Sequence, residues 1–137
     1  MAYLARREYS RAELREKLIA TGATRDAADA VLDQMTAQGY LSDARFANAL
    51  VRQRTGTVSK RAISASLKAK GVDAEVASAA LAGSEVDDHD AMVALWRRKF
   101  GAPPGNDREK ARQIRFLQSR GFALSAIFRL LRTPPSD

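Results

Sequence analysis

The chain has 137 residues, the size of one ordinary domain, and 45% hydrophobic against 28% charged residues is the balance of a soluble globular protein. With no cysteine, a disulfide-stapled secreted fold, a thiol nucleophile and a cysteine zinc site are all excluded. Lysine and arginine exceed aspartate and glutamate by 23 to 16, a net charge of +7 that suits polyanionic partners, and between residues 92 and 132 the balance is 10 basic to 2 acidic.

The first recognisable element is a short helix at about Tyr3–Arg7. Ser10-Arg11-Ala12-Glu13 then forms a capping box, so a helix runs from Ser10 to about Ala20 and stops at Gly22. Thr24 caps a helix reaching about Gln38, closed by Gly39, and Ser42 caps a third that carries Phe46, Ala49 and Leu50. Breaks follow at Thr55–Ser59, Gly83–Asp88 and Gly101–Asp107, where Pro103-Pro104 cannot sit inside a helix. A further helix occupies Asp90–Phe100. The tail from Thr133 ends the last helix. Strand-like alternation is missing, so the fold is all-α.

The chain repeats. Gly22, Gly71 and Gly121 are spaced by 49 and 50 residues. Leu18, Leu67 and Leu117 precede them by four; Leu32, Leu81 and Leu131 follow them by ten. At the position eight residues before the glycine stand Leu14, Ile63 and Gln113, the last a mismatch beside a displaced Ile114. Ser10–Leu32, Ser59–Leu81 and Asp107–Leu131 are thus three versions of one helix–Gly–helix unit, each preceded by another helix. This organisation predicts three three-helix, helix-turn-helix-like modules at 1–41, 42–85 and 86–137, stacked as an elongated curved array.

Catalytic chemistry finds no constellation to rest on. His89 lies in Asp87-Asp88-His89-Asp90, which reads as an acidic turn capping the helix near Asp90 rather than as a metal site, and no second ligand cluster completes a coordination sphere. Phosphate-loop and dinucleotide fingerprints are missing, and the only histidine lies in a hinge, which leaves a serine nucleophile without an evident base. The chain is therefore read as a non-enzyme without cofactor or metal. Phe46, Trp96, Phe100, Phe116 and Phe128 read as core anchors, with base stacking as the alternative, and Tyr40-Leu41 as packing back across a helix junction.

The basic residues are the functional candidates. Arg52 and Arg54 end one helix, Lys60 and Arg61 open the next, and Lys68 and Lys70 end it. Arg97, Arg98 and Lys99 close the helix before the proline loop; Lys110, Arg112, Arg115 and Arg120 line the following one; Arg129 and Arg132 lie on the last. Some of these charges sit where a helix C-terminus favours them anyway. The functional reading is a basic face for an acidic groove or a nucleic-acid backbone. Asp26, Asp29 and Asp33 argue against groove reading by the first helix-turn-helix-like unit.

Gly39-Tyr40-Leu41-Ser42-Asp43-Ala44-Arg45-Phe46-Ala47 resembles the signature of the bacterial RecX regulatory proteins. The opening Leu4-Ala5-Arg6-Arg7-Glu8-Tyr9-Ser10 with Glu13-Leu14 and Lys17-Leu18 agrees. So do Lys68-Ala69-Lys70-Gly71-Val72, Arg98-Lys99-Phe100-Gly101 and Arg115-Phe116-Leu117-Gln118-Ser119-Arg120-Gly121-Phe122. The resemblance covers essentially the whole chain in order. It implies a curved array of three tandem three-helix modules and a cytoplasmic, monomeric regulator of the RecA recombinase. Such a protein binds the groove of the RecA filament on single-stranded DNA and suppresses ATPase, strand exchange and the co-protease activity of the SOS response. Weak binding to single- or double-stranded DNA is expected beside it, and no membrane contact. Within the signature, Gly39, Tyr40, Leu41 and Phe46 are expected to set module geometry rather than to touch the partner. The alternative is a basic helix-turn-helix-like protein that binds DNA directly.

Overall fold

The computed structural model describes residues 7–135; the short helix expected at Tyr3–Arg7 lies almost wholly outside them. Eight α-helices make up the regular structure of the described residues. They are α1 (Arg11–Ala20), α2 (Arg25–Ala37), α3 (Asp43–Arg54), α4 (Lys60–Ala69), α5 (Ala74–Ala82), α6 (Asp88–Lys99), α7 (Asp107–Ser119) and α8 (Leu124–Arg132). The fold is all-α, and the helix–Gly–helix unit recurs as α1–α2, α4–α5 and α7–α8.

Local chemistry fixes the boundaries. Ser10 Oγ accepts from the Glu13 amide while the Glu13 carboxylate accepts from the Ser10 amide, which is the capping box seen in the sequence. Thr24, Ser42 and Asn106 cap α2, α3 and α7 with the side-chain half of that arrangement alone, each accepting from the amide three residues on. Asp87 Oδ1 accepts from the Asp90 amide, so the acidic turn does cap its helix, which starts two residues earlier than the sequence suggests. After α1, α4 and α7 the chain turns identically: the amides of Ala23, Val72 and Phe122 donate back to the carbonyls of Leu18, Leu67 and Leu117. That closure requires the glycine between them to adopt positive φ.

The helices gather into two compact units. One holds the chain up to Gln53 together with Ser64–Gly83; the other holds Arg54–Ile63 together with the chain from Ser84 onward. In the first, Tyr9, Leu14, Leu32, Met35 and Leu41 are buried around one another, with Leu18 against them. In the second, Met92, Leu95, Trp96, Leu117, Phe122, Ile127 and Leu130 form the core. Each such side chain contributes roughly 1.5–3 kcal/mol by leaving water.

A joint occurs once in each unit, built from corresponding residues. In the first, Ser10 is fully buried and its Oγ donates to the Lys70 carbonyl at 2.7 Å, while the Arg11 amide donates to Asp43 Oδ1 at 2.8 Å. In the second, Ser59 is buried and its amide donates to the Arg120 carbonyl at 2.9 Å, while the Lys60 amide donates to Asp88 Oδ1 at 2.8 Å. The glycine after each accepting carbonyl is where the two backbones meet. Gly71 (φ +79°) faces Ala12, and Gly121 (φ +91°) faces Ser59 and Ala62, so a methyl group at either site would collide. The capping serine of one helix–Gly–helix unit thus seats the glycine turn of the next.

Two aromatic readings need correction. Tyr40 is 59% exposed and does not pack across the helix junction; Leu41, at 3%, does that alone. Phe128 is 41% exposed and is not a core anchor, because Ile127 and Leu130 take the buried face of α8. Phe46 and Trp96 are buried as expected, and Phe100 and Phe116 are half-buried against the core.

Candidate partner-binding surface

The basic residues divide into two populations. In the first unit five of them are paired internally. Arg11 pairs with Asp33 at 2.8 Å, Arg15 with Asp29 at 2.8 Å, Arg45 with Glu8 at 2.7 Å, and both Arg7 and Lys70 with Glu13 at 3.1 Å. Asp29 and Asp33 on α2 therefore serve α1. The guanidinium of Arg15 hydrogen-bonded to Asp29 holds that carboxyl below its ordinary range, and the same contact raises Arg15. Burial pushes Glu13 up, but the Ser10 amide, the Lys70 ammonium and the Arg7 charge outweigh it and hold it below the usual glutamate value.

In the second unit, Lys99, Lys110, Arg112, Arg115, Arg120, Arg129 and Arg132 make no ion pair among the described residues. Two groups of them surround apolar side chains. In the first, Phe100 and Phe116 meet edge to face at 5.5 Å between centroids and 88° between planes. Arg112 lies 5.8 Å over Phe100, while Lys99 and Arg120 lie 5.4 and 5.0 Å over Phe116. Three cations from the end of α6, the face of α7 and the turn after it are held on one aromatic pair.

The second group lines a cavity of about 620 Å³ between the proline loop and α8. Pro103, Pro104, Phe128 and Leu131 supply its apolar wall, and Lys110, Arg129 and Arg132 its charge. A smaller cavity of about 240 Å³ lies beside Lys99, Phe100 and Arg112, and Pro103 borders both, so the two cationic groups adjoin.

The proline loop is held from beneath by Gln113. The sequence mismatch at this position is resolved by a hydrogen bond. Gln113 itself, 5% exposed, takes the core site of Leu14 and Ile63, and Ile114 does not replace it. Its Oε1 accepts from Trp96 Nε1 at 2.9 Å and its Nε2 donates to the Ala102 carbonyl at 3.2 Å. The loop is further closed by the Gly105 amide donating to Glu109 Oε2 at 2.7 Å.

The remaining sequence candidates line neither cavity. Arg52, Arg54, Arg61 and Lys68 are exposed on α3 and α4, Lys60 is half-buried at the start of α4, and Lys70 is engaged with Glu13. Arg97 and Arg98 are exposed in the last turn of α6, and Arg115 on α7. Sequence reasoning missed Pro103, Pro104 and Phe128 as surface-forming residues; the signal present was Phe128 at the margin of the apolar side of α8, one turn from Arg132. Among the described residues no group of three or more histidine and acidic side chains converges as metal ligands, and no helix is long and apolar enough to cross a membrane.

A helix–Gly–helix unit that recurs three times with a repeated serine–glycine contact, and unpaired cations on half-exposed aromatics, define a helical-repeat protein of the binding kind. The particular family is identifiable. The chain matches the first, second and third three-helix domains of RecX over residues 1–35, 42–81 and 85–131, and it belongs to the RecX family. It is 40% identical over 132 residues to Regulatory protein RecX of Leptothrix cholodnii, covering 96% of this chain and 84% of that one. Similarity to the protein of the same name from Ralstonia pickettii is 34% over 131 residues, covering 96% and 82%. A crystal structure of RecX from Lactobacillus salivarius shares the fold with a TM-score of 0.71 at 20% identity, over 96% of this chain and 90% of that one. A crystal structure of regulatory protein RecX gives 0.74 at 19%, over 96% and 68%.

Proposed function

We propose that this protein is a regulator of the RecA recombinase that binds within the groove of the RecA filament on single-stranded DNA. Its effect there is to suppress ATP hydrolysis, strand exchange and the co-protease activity of the SOS response. It acts by binding, as a cytoplasmic monomer without a cofactor or active site of its own. The domain scheme of this reading is three modules at 1–41, 42–85 and 86–137.

The observation that carries the reading is the division of charge. Arg11, Arg15 and Arg45 are neutralised within the first unit, whereas the cations around Phe100, Phe116 and Phe128 are left to an external anion. Unpaired surface cations speed encounter with an acidic partner and fix its register. A ligand spanning neighbouring recombinase protomers would hold their interface closed and oppose turnover. Arg52, Arg54, Lys60, Arg61, Lys68 and Lys70 of the second module are further partner contacts in this reading.

The test is ATP hydrolysis by RecA on single-stranded DNA, titrated with this protein beside its binding to the same DNA alone. Loss of hydrolysis at sub-stoichiometric protein with weak naked-DNA binding is the expected result. Undisturbed hydrolysis with tight, steeply salt-dependent DNA binding would overturn it in favour of direct DNA binding.

A further inference from the structure

The cavity beside α8 sets cations around an apolar wall that includes an exposed ring. Helix-dipole stabilisation accounts for Arg129 and Arg132 in the last turn of α8. It does not account for Phe128 standing 41% exposed between them and the proline loop. An exposed large ring in a concave wall loses apolar burial unless something covers it. The volume, about 620 Å³, falls within the roughly 300–1,000 Å³ of ligand-binding clefts.

The wall is also fixed in advance. Gln113 ties the Ala102 carbonyl to the buried Trp96, and Glu109 ties the Gly105 amide, so the loop bearing Pro103 and Pro104 is anchored at both ends. A rigid wall lowers the ordering cost of binding.

We propose that this cleft binds an acidic linear peptide through one large apolar side chain. The anchor packs among Pro103, Pro104, Phe128 and Leu131. Carboxylates on either side of it pair with Lys110 across the cleft and with Arg129 and Arg132, which lie one turn apart on α8. Charge complementarity selects the occupant, since among the described residues no acidic side chain lines the cleft. The lining favours peptide over nucleic acid. Among the described residues Phe128 is its only aromatic ring, which offers no series of stacking platforms, and Ser125 its only uncharged side chain able to hydrogen-bond a base edge. This site is argued from its lining alone, and its test contains no recombinase, so either reading can fail without the other.

The experiment is fluorescence anisotropy with a set of labelled six-residue peptides of aspartate and glutamate, each carrying one central Phe, Trp, Leu or Met. Control peptides carry Ser at the centre, and labelled oligothymidylate is titrated in parallel. At least one apolar-centred peptide is expected to bind at least fivefold tighter than its Ser control. The double variant Arg129→Glu/Arg132→Glu should weaken that peptide at least tenfold, and Phe128→Ala at least threefold; circular dichroism confirms that both variants fold. The proposal is overturned if no peptide in the set binds. It is equally overturned if apolar and Ser centres bind alike, if folded variants bind as wild type does, or if only oligothymidylate responds to the substitutions.

Discussion

Trp96 Nε1 donates to Gln113 Oε1 at 2.9 Å, and both side chains are at least 95% buried. The pair joins α6 to α7 and, through Gln113 Nε2, carries the loop that borders both cavities of the second unit. It puts a polar residue where the other two repeats have Leu14 and Ile63, and every polar atom of it finds a partner.

Gln113→Leu should therefore destabilise the protein although it restores the apolar repeat. The substitution strands the indole N–H and releases Ala102. A stranded buried donor costs about 1–3 kcal/mol. Chemical denaturation followed by fluorescence of Trp96, the only tryptophan, reads the loss. An unchanged midpoint would remove the structural role assigned to the pair.

The repeated joint predicts an order among glycine substitutions. Gly39→Ala meets only the cost of positive φ, about 1–2 kcal/mol, because nothing lies within 4 Å of the new methyl group. Gly71→Ala and Gly121→Ala meet that cost and also collide with Ala12, or with Ser59 and Ala62. Both should be clearly less stable than Gly39→Ala in thermal unfolding; equal losses at all three would mean that the joints yield freely.

Much of this was legible along the chain. The capping box at Ser10, the glycine stops and the 49- and 50-residue spacing are local patterns, and they place most helix boundaries within a residue or two. What was not legible depends on direction or distance. The apolar residues of α8 (Leu124, Ile127, Phe128, Leu130, Leu131) share one side of the helix, and Phe128 lies at the margin of that side next to Arg132, so periodicity grouped it with the core although it faces outward. Ser10 meets Lys70 across 60 residues and Arg11 meets Asp43 across 32, pairings that no window along the sequence contains. The same holds for Gln113 and Trp96, 17 residues apart, where a mismatch in the repeat marked the place without naming the partner.

Glu13 gives the first unit a pH dependence. Its carboxyl is held below the usual value in the folded chain, so the stability it contributes is complete above the unfolded value of about 4.3. That stability is lost as pH falls through the lower folded value. Glu13→Gln should be less stable than wild type at pH 7, and the gap should narrow below about pH 4. Urea midpoints across that range measure it, and a gap that widened on acidification would contradict the assignment.

The central claim is that unpaired cations of the last two modules engage the recombinase filament. The most direct measurement is RecA ATP hydrolysis on single-stranded DNA, titrated with wild type and with the triple variant Arg112→Glu/Arg115→Glu/Arg120→Glu, helical content being checked by circular dichroism. The account predicts that wild type suppresses hydrolysis below one protein per protomer while the folded triple variant leaves it untouched. Equal suppression by both would contradict it.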